Sequence, residues 1–212
     1  MHRRTTIALT LAALLLGAAP ARAKTVQGVT FPDTATVGGQ SVTLNGMGVR
    51  VAYIFVKVYV GGLYLATPTH DGTAAVQTDE PKRVLLQFLR DVTHEEMVKA
   101  MREGFAHTAS ASMQPQVDQF SGFFTQPLVT GSQASFDYVP GTGTTVVIGG
   151  QTKGTIPGAD FMRALWGIWL GDKPVAGVDG GQVYLVRVDH IGRPVFATNA
   201  TGAKVWTMSF DP

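Results

Sequence analysis

Residues 45–65, NGMGVRVAYIFVKVYVGGLYL, set the strictest terms for this chain. The run is dense in β-branched and aromatic residues, which fit a pleated, half-buried surface, and glycines bracket it. It reads as one long strand or as two joined by a bend. Arg50 and Lys57 sit inside it, among residues that favour burial. A buried guanidinium is costly unless an anion meets it. Arg50 therefore either points to water or receives something negative.

The first residues carry a different signal. Arg3 and Arg4 precede an apolar run from Ile7 to Ala19, and Ala21-Arg22-Ala23 supplies a small-x-small cleavage site. This is the layout of a secretory signal peptide, expected to cover residues 1–23, with an apolar core too short for a comfortable membrane span. The expected location is periplasmic or secreted, and the arginine pair also permits twin-arginine export. The leader holds Arg3, Arg4 and Arg22 and no acid, so its removal turns the formal charge of +2 negative. Nucleic acid is then not an expected partner. The chain has no cysteine, which excludes disulfides, thiolate catalysis and cysteine-based metal sites. No later segment is long and apolar enough to span a bilayer, so the mature chain is expected to be soluble.

Taken in order, Val26 to Phe31 reads as a strand ending at Pro32-Asp33, and Ser41 to Leu44 as another. Asn45-Gly46 is a strong hairpin dipeptide. Ala66 to Asp79 reads as a loop with room for one helical turn, and Lys82 to Arg90 as a strand interior to a sheet. Thr93 with Glu96 forms a capping box, and Met97, Met101 and Phe105 follow at helical spacing to about Thr108. Pro115 to Phe124 is a second helix, with Val117, Phe120 and Phe124 as its apolar stripe. Ser135 to Ile148 reads as a hairpin turning at Pro140 to Gly143, and Thr152 to Ile156 as one more strand. Asp160 to Leu170 is a third helix, with strands at Val183 to Val188 and within Val195 to Phe210. Strands, two helices, strands, a helix and strands predict an α+β fold, a large antiparallel sheet with helices on one face.

Few motifs carry chemistry. His94-Glu95-Glu96-Met97-Val98 lacks the second histidine of a zinc-protease helix, and His70, His107 and His190 have no spaced metal partners, so no metal or other cofactor is expected. There is no Gly-x-Ser-x-Gly elbow, and Gly46-x-Gly48 lacks the third glycine of a nucleotide fingerprint.

Gly46-Met47-Gly48-Val49-Arg50, Lys57 through Leu65, Pro81-Lys82-Arg83-Val84, Phe88 through Val92, Phe105, Phe161 through Gly171 and Pro174 together resemble the chalcone isomerase fold family. The bacterial chalcone isomerase-like proteins are the nearest pattern, over roughly residues 24–178, with 179–212 as a β-rich extension packed on the same domain. The resemblance implies an open-faced β-sandwich with a ligand cleft between sheet and helices. It implies two functions: plant members close a chalcone to a flavanone, and others bind fatty acids.

Arg50 falls on the arginine that both groups share, gripping a carbonyl in the enzymes and a carboxylate in the binders. A guanidinium suits either task. The remaining enzyme residues are replaced: Tyr59 stands for a strand threonine, Met97 and Gly104 for a helical tyrosine and asparagine, and Ile168 for a threonine. The implied cleft would be lined by Met97, Met101, Phe105, Ile168 and Trp169, with Arg50 and Tyr59 at one end. The expected function is an exported, non-catalytic binder of a fatty acid or similar apolar carboxylate. The alternatives are an isomerase acting on a chalcone-like enone, with Arg50 as its electrophile, and an envelope protein-interaction module. One obstacle stands: on a single straight strand, residues 50 and 59 point to opposite faces unless a bulge intervenes.

Overall fold

The central run is two strands, not one. The computed structural model describes residues 23–52 and 56–170, and the backbone of strands 183–188, 194–198 and 204–207. Residues 1–22 of the leader, Tyr53 to Phe55, Gly171, Pro174 and His190 lie outside these residues. Strand β4 (Gln40–Ala52) pairs antiparallel with β5 (Val56–Leu65). Before them come β1 (Ala23–Val26), β2 (Val29–Pro32) and β3 (Thr34–Val37). After them come β6 (Lys82–Phe88), β7 (Gln133–Val139), β8 (Gly143–Ile148) and β9 (Gln151–Ile156). Strands β10 (Val183–Val188), β11 (Pro194–Thr198) and β12 (Lys204–Thr207) complete the set. The main sheet has ten antiparallel strands, in the order β12-β11-β10-β4-β5-β6-β7-β8-β9, with β3 also on β4. The β1–β2 hairpin forms its own small sheet.

Two turn readings are corrected. Val26 to Phe31 is not one strand: it folds at Gln27-Gly28, where both residues take positive φ (51° and 76°), as a tight two-residue hairpin requires. Asn45-Gly46 is no hairpin turn. Asn45 is an extra residue inside β4, because Leu44 pairs with Tyr64 and Gly46 with Leu63. Its side-chain amide donates to the Thr69 carbonyl and its oxygen accepts from the Thr69 amide, both at 2.9 Å. That two-way grip from a distant loop holds the bulge and outweighs the dipeptide's turn preference.

The helices are α1 (Gly72–Gln77), α2 (His94–Thr108), α3 (Gln114–Gly122) and α4 (Ala159–Leu170). The Thr93–Glu96 capping box starts α2, satisfying two otherwise orphaned amides. Helix α4 is buried almost all round, from Phe161 to Leu170, as befits a helix wedged between the sheet and α1 and α2. No helix among the described residues is long and apolar enough to cross a membrane. The helices cover one face of the sheet and share a core with Tyr59, Leu63, Leu86, Phe88 and Phe136. The other face carries Phe31, Val42, Met47, Val49, Val60 and Tyr64 in a second core beneath the β1–β2 hairpin. Gly62 belongs to that second face: a Cβ there would lie 2.7 Å from the Phe31 ring. The α+β architecture, with helices on one face of a large antiparallel sheet, is as the sequence predicts.

Lys82 opens β6 with no exposed surface. Its Nζ donates to the Ala75 and Thr78 carbonyls, both at 2.6 Å, and so ties the end of α1 to the sheet. Burial pushes the ammonium down to about 8. Between that pH and the unfolded value of about 10.4, the unfolded chain holds more protons here, so stability should rise with pH by an amount on the order of 2 kcal/mol. Tyr64 and Tyr138 are pushed up to about 12, chiefly by burial, and act oppositely above about pH 10. Urea midpoints measured from pH 8 to 10 should climb for the wild type and stay flat for Lys82→Met. Parallel curves would remove this account of Lys82.

Candidate functional site

Pairing across β4 and β5 resolves the obstacle posed by the nine-residue spacing. Arg50 stands directly opposite Tyr59, and residues opposite one another in an antiparallel ladder share a face. The Asn45 bulge decides which face. Val42 and Leu44 point to the hairpin side; after the extra residue, Met47 and Val49 take that side, and Gly46, Gly48 and Arg50 turn to the helices. A second bulge follows at Val58, since Val51 pairs with Lys57. It lets Val58 and Tyr59 both enter the helix-side core.

Two cavities meet at Arg50 and Tyr59, and both residues line each of them. The wider, about 160 Å³, lies between the sheet and α2, over Phe88, Met97 and Met101, with Arg90, Lys99 and Glu103 among its polar lining. The narrower, about 40 Å³, lies between the glycines of β4 and β5 and the end of α4. Apart from Arg50 and Tyr59, the described residues that line it are glycines and apolar side chains, including Leu63, Val84, Leu86 and Trp169.

The charges at the wider cavity are sorted. Arg90 pairs with Glu96 at 3.4 Å, and Lys99 lies 4.0 Å from Glu103. The Thr93 amide, and then the Arg90 guanidinium, hold the Glu96 carboxyl below the usual carboxylate range. Arg50, half-buried, makes no side-chain hydrogen bond or ion pair with any described residue. Tyr59 is 4% exposed, and its hydroxyl accepts from Trp169 Nε1 at 2.8 Å. Indole can only donate, so the phenol keeps its own proton to offer elsewhere. Phe88 packs edge-on against the Tyr59 ring at 5.8 Å and helps to fix it.

The residues singled out from sequence divide accordingly. Arg50, Tyr59, Met97 and Met101 come together at the wider cavity, and Trp169 reaches the narrower one. Phe105 and Ile168 line neither. Phe105 packs against Phe120 and Phe161, each at 5.5 Å, and Ile168 seats on Gly104. The sequence reading missed the Trp169–Tyr59 hydrogen bond, the charged rim and the glycine floor. Gly46 and Gly48, two apart on a strand, were the available signal for the floor. Among the described residues no group of three or more His, Asp or Glu could hold a metal ion.

A family model described as chalcone isomerase-like matches residues 23–178. No curated protein matches the sequence. Among solved structures, the chain is similar to the Arabidopsis thaliana fatty-acid binding protein AtFAP1, with a TM-score of 0.60 at 14% identity. The match covers 72% of this chain and 91% of that one, and at such identity it is a likeness of fold.

Proposed function

This chain belongs to the chalcone isomerase-like family, and from that premise we propose that it is an exported, non-catalytic binder of a fatty acid or similar small apolar carboxylate. One observation carries the reading. Arg50 is the cation at the paired cavities with no anion beside it among the described residues, while Arg90 and Lys99 have theirs. A half-buried guanidinium over an apolar floor favours a ligand that brings its own negative charge and a greasy body.

The roles follow from the geometry. Arg50 would hold the carboxylate through its planar fork of donors. Tyr59, with its oxygen occupied by the Trp169 N–H, would give its proton to the same headgroup. Met97 and Met101 would flank the entrance. The similarity to a protein described as a fatty-acid binder agrees with this reading. Isomerisation has less support, since Met97, Gly104 and Ile168 bring no polar group to position a water or a reacting oxygen. Export rests on the leader's composition.

Native mass spectrometry after incubation with dodecanoic acid or its methyl ester tests the proposal. The acid should be retained and the ester lost, because only the acid neutralises Arg50. Equal retention of both, or retention of neither, would overturn it.

A further inference from the structure

Two glycines of the narrower cavity, Gly46 and Gly61, have no structural excuse. Gly48 stands opposite Gly61 and Gly46 opposite Leu63, continuing the row that begins with Arg50 opposite Tyr59. Neither Gly46 nor Gly61 takes a positive φ. Among the described residues, a Cβ at Gly46 would meet nothing within 4 Å, and one at Gly61 would make ordinary contact with Leu86 at 3.4 Å. The contrast with other glycines is plain. Gly62 is confined by Phe31, Gly154 by the Phe123 ring at 2.6 Å, and Gly104 by Ile168 at 3.0 Å. Glycine inside a strand weakens it; Gly46 adjoins the Asn45 bulge but takes no positive φ there, Gly61 adjoins no bulge, and a strand glycine that neither backbone nor packing calls for often marks a close approach by another molecule.

We propose that a bound acyl chain lies on this glycine floor, running from Arg50 and Tyr59 past Gly48 and Gly61 toward Gly46 and Leu63, and that these glycines set the longest chain the protein accepts. The inference rests on the fatty-acid reading above and assigns the tail a place. The wider cavity, with Arg90, Glu96, Lys99 and Glu103 around it, is a poor home for methylenes, whereas the narrower is apolar beyond Arg50 and Tyr59. Val84 and Leu86 of β6 flank the floor, and Trp169 and Leu170 cover it. Arg50 to Gly46 is four residues of strand, about 13 Å, which suits a medium-length chain. At about 40 Å³ the slot is narrow, so the chain enters as the Leu170 side chain gives way, while Trp169 stays on Tyr59 through its hydrogen bond.

The test compares octanoic, dodecanoic and hexadecanoic acids on the wild type, Gly46→Leu and Gly61→Leu, by displacement of a fluorescent fatty acid. A chain-length ruler predicts a graded result. Gly46→Leu, at the far end, should weaken the longest acid by about 10-fold and spare octanoic acid. Gly61→Leu, nearer the headgroup, should also weaken dodecanoic acid by about 10-fold, each step corresponding to one large side chain placed in the path. Gly46→Ala and Gly61→Ala guard against misfolding: both should raise Tm while shifting preference in the same order. Unchanged chain-length preference in all four variants, or lowered Tm in both alanine variants, would overturn the slot while leaving the headgroup reading intact. A wild type that retains no acid would overturn both.

Discussion

Arg50→Met is expected to weaken dodecanoic acid binding by about 30-fold or more, the ~2 kcal/mol lower end for breaking a desolvated charge pair. The same change should leave Tm unchanged or raise it. Methionine roughly matches the aliphatic stem of the arginine. It removes a half-buried cation that has no ion pair or hydrogen-bond partner among the described residues. The opposite signs separate a ligand-holding residue from a structural one. Were Arg50 part of the scaffold, its loss would lower both quantities together. Isothermal titration with dodecanoic acid, paired with a thermal melt, reads both. A destabilised variant with wild-type affinity would count decisively against the role given to Arg50.

Phe120→Ala should be the most damaging single truncation, costing about 3–5 kcal/mol and, for a chain of this size, roughly 6–20 °C in Tm. Phe120 has no exposed surface. Its ring centroid lies 5.3–5.8 Å from those of Phe105, Phe124, Phe136 and Phe161, so from α3 it touches side chains of α2, β7 and α4 and of the segment that follows α3. Four elements meeting on one ring cannot collapse into the space it leaves without shifting against each other, which places the site at the costly end of the range. Chemical denaturation with a shared m-value would measure the loss. A cost under about 1 kcal/mol would mean that the cluster repacks freely.

Local signals were legible where one principle acted alone. The Thr93–Glu96 box and the stripe of Met97, Met101 and Phe105 mark α2, and the structure places it at His94–Thr108. The alternation about Pro140–Gly143 marks the β7–β8 hairpin. Where two preferences competed, the reading failed. Asn45-Gly46 favours a turn in isolation, but pairing with Tyr64 and Leu63 on either side and the grip on Thr69 keep it within β4. Lys82 opens the run read as an interior strand, and only the Ala75 and Thr78 carbonyls, from the far side of a loop, show how its ammonium is held inside. Phe105 and Ile168 fit the helical stripe of a cleft wall, and the structure spends them on packing instead.

Residue order alone determined the class of fold, the register of the apolar faces of α2 and α3 and the family to which the chain belongs. It also presented Arg50 as a charge in need of an answer. Only the tertiary structure decided that the answer could come from the helix side. A strand's faces alternate strictly, so a single inserted residue exchanges them. The bulge at Asn45 is kept open by Thr69, twenty-four positions away, and no local rule contains that contact. Through it Arg50 turns from the hairpin side to the cavities, opposite a tyrosine that sequence spacing would have set on the other face.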